Sequence, residues 1–307
     1  MAEDSTESVK EMVQCASCGI AENDDIKLRN CTACYLVRYC SVKCQKEHRP
    51  KHKKECKKRA AELRDELLFK QPESSHMGDC PICSLPLPID EQQYGTMSCC
   101  AKSICGGCQY ANLKRENEGR LQHKCPFCRH PMPKSAEEAR INNMKRVEAN
   151  DPVAMTQIGC YYANRGDNKK AFEYWSKAAI LGDKDAHYNL AMMYSKGDGV
   201  EIDDKKEIYH LEEAAIIGNF RARYALGCRE AENGRCDRAI KHMAIATSLG
   251  YDKSLEFLKM NYAIGIVTKE EFDAAFRAHK AAVDATKSPQ RVAAICKLQG
   301  TFYRNSE

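Results

Sequence analysis

Long hydrophobic runs are missing from this chain. It has no stretch of about 18 apolar residues that could span a bilayer, and Met1 is not followed by the charged-then-apolar pattern of a secretory leader. Both absences point to the cytosol or nucleus, where thiols stay reduced. The first 130 residues contain few long apolar runs of any kind, so a sizeable core there requires an external staple. Two kinds of catalytic machinery are missing as well. No glycine-rich loop is placed to cradle a phosphate, and no Ser/His/Asp set stands in a motif context; Gly106-Gly107 is confined between Cys105 and Cys108. No covalent catalytic site is assigned.

What the front of the chain holds instead is sulfur. Fifteen of the 19 cysteines precede residue 129. They fall into two constellations of eight candidate ligands. The first is Cys15-x2-Cys18, Cys31-x2-Cys34, Cys40-x3-Cys44 and His52-x3-Cys56; the second is Cys80-x2-Cys83, Cys99-Cys100, Cys105-x2-Cys108 and Cys125-x2-Cys128. Such spacings let two thiolates reach one ion from a tight turn, and two pairs complete a tetrahedron. In a reducing compartment this pattern favours metal over disulfides. Zinc is the expected cofactor, about four ions in all, and in small metal domains its binding energy is folding energy. The formal net charge of +5 counts every thiol as neutral. Fifteen ligand thiolates subtract fifteen charges and four zinc ions return eight, leaving −2. That balance does not describe a nucleic-acid-seeking protein.

Composition divides the chain further. Residues 1–12 are polar and acidic and read as a disordered lead-in; the first cluster occupies 13–57. Lys57 to Phe69 has good helix formers with Leu63, Leu67 and Leu68 along one side, and Gln71-Pro72-Glu73-Ser74-Ser75 stops it, which makes 58–78 a helical linker. The second cluster spans 79–133, ending in Pro131-Met132-Pro133, and 134–149 reads as another helical linker. Residues 150–285 are an internal repeat. Ile158-Gly159, Leu190-Ala191, Leu226-Gly227 and Leu258-Lys259 recur at spacings of 32, 36 and 32, and a small residue closes each turn at Gly182, Gly218, Gly250 and Ala285. Periods in the thirties signal stacked helix pairs, about four here. Asp151 followed by Pro152 marks the first helix start. Gly159, Ala191 and Gly227 allow close helix approach, while Tyr161, Tyr162, Phe172, Tyr174, Trp175, Tyr188, Tyr194, Tyr209 and Tyr224 fill the spaces between turns. Cys160, Cys228, Cys236 and Cys296 lack ligand spacing and read as buried small hydrophobes. His187, His210, His242 and His279 form no ligand pairs, and 286–307 reads as a tail.

The first cluster resembles a MYND-type zinc finger, including Tyr39 before Cys40 and Gln45 after Cys44. The resemblance implies Cys15, Cys18, Cys40 and Cys44 on one ion, and Cys31, Cys34, His52 and Cys56 on the other. His48 is the rival for His52. Arg49 stands where that family usually has tryptophan. Fingers of this family mostly bind short proline-containing peptides, so a protein-recognition module is implied. Some sit inside lysine methyltransferases, but the repeats occupy the room such a catalytic domain would need. Lys43 to Arg59 carries nine Lys/Arg against Glu47 and Glu55. These read as cations beside zinc-thiolate centres on a solvated helix, with a phosphate-binding face as the alternative.

The second cluster resembles a RING finger in an all-cysteine form. Lys102 stands where the usual histidine is expected, and Cys99-Cys100 offers the missing thiolates. The implied cross-brace places Cys80, Cys83, Cys105 and Cys108 on a third ion, and Cys99, Cys100, Cys125 and Cys128 on a fourth, with His123 as a possible substitute in the adjacent pair. In active members of that family an apolar residue and a proline form the docking surface for a ubiquitin-conjugating enzyme, and a basic residue holds the ubiquitin thioester. Ile82, Pro126 and Arg129 match those positions. The repeats resemble Sel-one-like repeats of the tetratricopeptide type, through Gly197-x-Gly199-Val200 followed by Asp203 and Asp204. Such solenoids use a concave face to bind peptides.

The expectation is a multi-domain chain: two small zinc-stabilised cross-brace domains, α+β and irregular, then an all-α helical-repeat solenoid. Functionally it is a zinc-binding interaction scaffold whose partners are proteins or peptides. The alternative is a RING-type ubiquitin ligase with the solenoid choosing substrates. A weaker one is nucleic-acid binding through Lys43–Arg59; no membrane partner is expected.

Overall fold

A computed structural model describes residues 13–72 and 77–304, with side chains described up to residue 296. The lead-in read over 1–12, the Glu73–Ser75 part of the helix stop, and residues 305–307 lie outside these. The chain divides into two compact units, one ending at Lys70 and one beginning at Gln71. No described helix is long and apolar enough to cross a membrane.

In the first unit, β1 (Arg29–Asn30) pairs antiparallel with β2 (Arg38–Tyr39), and α1 runs from Val42 to Leu68. The helix read from Lys57 therefore begins fifteen residues earlier. Ser41 caps it by accepting from the Cys44 N–H at 3.2 Å. Cys44, His52 and Cys56 lie at i, i+8 and i+12, which puts all three on one side of α1. Leu68 is buried but Leu67 is exposed, so the expected leucine side is only partly covered. The hydrophobic cluster here consists of Cys15, Cys31, Cys34, Cys44 and Tyr39. Sulfur takes the place of an aliphatic core.

The second unit opens with another cysteine-rich fold. A single 3₁₀ turn, Glu91–Gln93, leads into the hairpin of β3 (Tyr94–Thr96) and β4 (Ser103–Cys105), and α2 (Gly106–Glu118) follows. Leu87, Met97 and Ile104 pack among the cysteines. Next comes α3 (Ala136–Glu148), capped by Ser135, and then four helix pairs. These are α4 (Pro152–Ala163) with α5 (Asn168–Ile180), α6 (Lys184–Lys196) with α7 (Asp204–Ile216), α8 (Phe220–Glu232) with α9 (Cys236–Ser248), and α10 (Asp252–Ala263) with α11 (Lys269–Ala285).

Starts and close approaches explain why these segments form helix pairs. Asp151, Asp167, Asp183, Asp203 and Asn219 each accept backbone N–H groups of the first turn that would otherwise be unpaired. Within pairs, Gly159 lies under Trp175, where a Cβ would come within 2.4 Å of the indole nitrogen; Gly227 lies under Met243. The aromatic filling is real at Tyr162–Tyr174, stacked at 5.7 Å, and at Phe172–Tyr194, edge-on at 6.1 Å. Tyr209 is instead exposed.

Three further expectations differ. The segment read as a tail is α12 (Pro289–Arg304), started by Ser288, whose hydroxyl accepts from the Arg291 N–H at 3.2 Å, and packed along α2. The repeat cysteines are not fully buried: Cys236 and Cys296 are exposed, and Cys160 and Cys228 are half-buried against the hydrophobic clusters they border. His187 and His210 do meet, Nδ1 to Nδ1 at 3.0 Å across α6 and α7. Finally, α4, α6 and α8 all face the second cysteine-rich fold. Gln157, Tyr188 and Arg221 line one cavity of about 250 Å³ with Ile89, Glu91 and Tyr94, and Arg221 pairs with Glu91.

Candidate metal centres

Four of the Cys-x2-Cys pairs build the same backbone turn. The carbonyl of the first cysteine accepts from the N–H four residues on: Cys15 from Gly19 (2.9 Å), Cys31 from Tyr35 (2.9 Å), Cys80 from Ser84 (2.8 Å) and Cys125 from Arg129 (3.0 Å). Each donor residue is left-handed, with φ of 74°, 59°, 55° and 61°. Only Gly19 adopts that conformation without strain. The turn leaves both sulfurs on one side with backbone N–H groups pointing at them. Cys105 instead caps α2, its sulfur accepting from the Cys108 N–H at 3.4 Å.

These turns gather four sets of donors, each set mutually within 4.8 Å: Cys15, Cys18, Cys40 and Cys44; Cys31, Cys34, His52 and Cys56; Cys80, Cys83, Cys105 and Cys108; Cys99, Cys100, Cys125 and Cys128. Sulfur pairs stand at 3.6 Å (Cys18–Cys40, Cys40–Cys44), 3.7 Å (Cys31–Cys56), 3.8 Å (Cys83–Cys105), 3.9 Å (Cys100–Cys125) and 3.4 Å (Cys99–Cys128). A tetrahedron with zinc–sulfur bonds of about 2.3 Å has edges of about 3.8 Å. A disulfide would need about 2.05 Å, and all the cysteines are free. The donor sets fit zinc.

Acid–base behaviour supports the same fit. At Cys15 and Cys31 burial opposes ionisation, but N–H donors from their own turns outweigh it and bring each thiol down to about 6. Their neighbours go the other way. Hydrogen bonding with Cys44 and Cys18 raises Cys40 to about 12; burial, then Cys31, raises Cys56 to about 11. Burial likewise raises Cys99, Cys100 and Cys108. In each of the first two sets one thiol ionises readily while a neighbouring one is held back by it. A bound dication removes that restraint.

The doubtful ligands sort themselves by position. His52 is buried with Nε2 at 3.1 Å from Cys34 Sγ, whereas His48 Nδ1 meets the Tyr39 hydroxyl at 3.1 Å, outside the set. Cys99 and Cys100 both face the fourth set because the turn between β3 and β4 closes on left-handed Ala101, whose N–H donates to the Met97 carbonyl at 2.7 Å. His123 lies apart, with Nδ1 at 3.4 Å from Glu116 Oε2.

Glu116 was not visible as important from the sequence. It is 1% exposed, accepts from the Lys124 N–H and pairs with Arg129 at 3.3 Å. Burial opposes its ionisation, but the Lys124 N–H, Asn112, His123 and Arg129 hold the carboxyl below its usual range. Arg129 also donates to Asn112 Oδ1 at 3.0 Å, so its guanidinium ties the last Cys-x2-Cys turn to α2. Ile82 is 43% exposed and Pro126 half-buried. On α1, Lys43 pairs loosely with Glu47 (3.9 Å), Lys58 with Glu62 (4.0 Å), and Arg59 with Glu62 and Glu66.

Comparison with known proteins places two parts of the chain. Residues 13–56 match the MYND finger family, and 152–183 and 184–219 each match the Sel1 repeat. Over 88 residues the chain is 28% identical to chitin synthase regulatory factor 4 of Schizosaccharomyces pombe, a stretch covering 28% of this chain and 14% of that protein. The chain thus spans about a seventh of that relative's length. Similar solved structures include a Sel1 repeat protein from Oxalobacter formigenes (23% identity, 57% of this chain and 72% of that chain, TM-score 0.42). Another is the protective antigen c5321 of uropathogenic Escherichia coli (22% identity, 62% and 40%, TM-score 0.39).

Proposed function

We propose that this chain is a zinc-dependent scaffold for protein recognition, in which all sixteen gathered donors are ligands of four zinc ions. The observation that carries this is the recurrence of tetrahedral donor spacing in four separate sets, beside a MYND finger and Sel1 repeats, two modules that generally mediate protein–protein interaction. When bound, zinc supplies a structural crosslink and a positive charge that the surrounding thiolates exceed, leaving a centre of net negative charge. The protein supplies left-handed turns, N–H donors and a helix that present the sulfurs. Its partners are proteins or peptides, with short proline-containing peptides as the first class to try on the MYND finger. Metal analysis with Cys99→Ser and His123→Ala tests the ligand assignment. About four zinc ions per chain are expected, falling by one with Cys99→Ser and unchanged with His123→Ala; four ions retained by Cys99→Ser would remove Cys99 from the set.

The ubiquitin-ligase reading has one observation in its favour: Ile82, Leu113 and Phe127 are each at least 43% exposed on the second finger, an apolar surface suited to a protein partner. Against it, Arg129 is already engaged by Asn112 and Glu116, and Ala294 of α12 lines the same cavity as Tyr110, Leu113 and Pro126. Autoubiquitination across a panel of conjugating enzymes, with Ile82→Ala and Arg129→Ala as controls, decides between them. No chain formation with any enzyme leaves the scaffold.

A further inference from the structure

Among the described side chains of the C-terminal helix, Arg291 makes the most polar contacts. Arg291 lies in the first turn of α12 and is 5% exposed. Its guanidinium reaches four acceptors. Nη1 donates to the carbonyls of Pro86 (2.6 Å) and Thr286 (2.7 Å); Nη2 donates to the carbonyl of Leu85 (3.1 Å) and to Cys83 Sγ (3.4 Å). Leu85 and Pro86 close the turn that begins at Cys80. The helix also meets the other half of the same donor set. Gly107, between Cys105 and Cys108, lies under Arg291 so closely that a Cβ would come within 2.9 Å of Arg291 Cγ and 3.0 Å of its Cα. The Gly107 carbonyl accepts from Gln290 Nε2 at 3.1 Å.

Burying a guanidinium is costly unless an anion faces it. Three of its acceptors are neutral carbonyls, and the only one able to carry charge is the Cys83 sulfur. Four thiolates around one zinc ion hold a net charge of about −2. A buried cation in hydrogen-bond contact with one of those sulfurs, from a helix that touches both Cys-x2-Cys pairs, is placed to neutralise that centre.

We propose that Arg291 is the counter-cation of the Cys80/Cys83/Cys105/Cys108 centre, and that metal loading there governs whether the C-terminal helix docks. This rests on reading that set as a zinc site. Metal fixes the turn that aligns the Leu85 and Pro86 carbonyls and the Cys83 sulfur beneath the guanidinium. Without it these acceptors disperse. The coupling is reciprocal, so docking of α12 also tightens the centre's hold on its ion. Arg291 is a positioning residue, and its partners Cys83, Leu85 and Pro86 lie more than 200 positions away in sequence.

The test uses the whole 307-residue chain. Native mass spectrometry counts zinc during a timed chelator challenge, and hydrogen exchange follows residues 289–296. In Arg291→Met one ion is expected to leave about 10–100-fold faster than in the wild type, the other three keep their rates, and 289–296 exchanges freely. Arg291→Lys, which retains a cation but not the fork, falls between. Cys80→Ser is expected to bind one ion fewer and to release 289–296. Wild-type release rates in Arg291→Met, continued protection of 289–296 in Cys80→Ser, or equal acceleration at all four sites in both Arg291 variants would each overturn the proposal. A wild-type protein carrying no zinc would instead refute the metal reading beneath it.

Discussion

The two halves of this molecule solve the same problem with different materials. Residues 13–133 have almost no aliphatic interior: the cluster of the first unit is five cysteine- and tyrosine-based side chains, and the second adds only Leu87, Met97 and Ile104 among its sulfurs. The helix pairs from Pro152 on are held by Ala, Leu, Met and Trp packed against one another, as around Trp175, Leu190 and Met193. In the first case shape is a consequence of bound ions; in the second it is a consequence of buried area. Sulfur spacing is local and survives almost any change around it. Repeat packing depends on volume at every interface.

The sharpest way to break this contrast is to strip the metal. Chelation is expected to abolish hydrogen-exchange protection in β1–β2 and β3–β4 while α4 to α9 keep theirs, since each structural zinc contributes on the order of 10 kcal/mol to its own fold. Equal loss in both halves would erase the distinction. A packing change should do the opposite. Gly159→Ala drives a methyl group into the rigid Trp175 indole, which is anchored by its bond to the Thr156 carbonyl at 3.2 Å. It is expected to cost about 2–3 kcal/mol in urea unfolding without loss of zinc. Gly227→Ala meets the unbranched Met243 side chain, most closely at its terminal methyl, which can turn aside where the indole cannot, and should cost less than Gly159→Ala.

A smaller effect separates metal from ordinary electrostatics within the second finger. Glu116→Gln removes the anion beneath Arg129 and the Lys124 N–H, and is expected to lose about 2 kcal/mol near neutral pH. The folded carboxyl titrates below its unfolded value, so its contribution is complete above the ordinary carboxylate range and disappears as pH falls through the lowered pKa. The gap between wild type and variant, read from unfolding at each pH, should therefore close on acidification; a gap independent of pH would assign the effect to packing. The smallest expected change is a gain. Ser84→Gly relieves a left-handed residue in the third turn, by about 0.5–1 kcal/mol; no gain would mean that the Ser84 side chain compensates its strain.

Much of this was legible in the chain, for physical reasons that also mark where reading stopped. Cys-x2-Cys spacing encodes its own turn, so candidate ligands could be named from local sequence, whereas which pairs share a set was implied only by the family resemblances. The repeats announced themselves through Gly159, Ala191 and Gly227 because close approach admits only small residues. By contrast, the start of α1 at Val42 was masked by ligands that interrupt an otherwise helical pattern. The helix at Pro289–Arg304 carries a start signal, Ser288-Pro289, but no repeat period to set it apart from a tail. The roles of Glu116 and Arg291 had no local signal, since burial of a charge is decided by distant elements.

Helix α1 delivers Cys44 to the first donor set and His52 and Cys56 to the second. Eight residues of helix span about 12 Å between the two deliveries. Filling either set immobilises this shared strut and pre-pays the ordering entropy for the other. Singly loaded molecules should thus be scarce during titration, with the first unit passing from empty to doubly filled in one cooperative step.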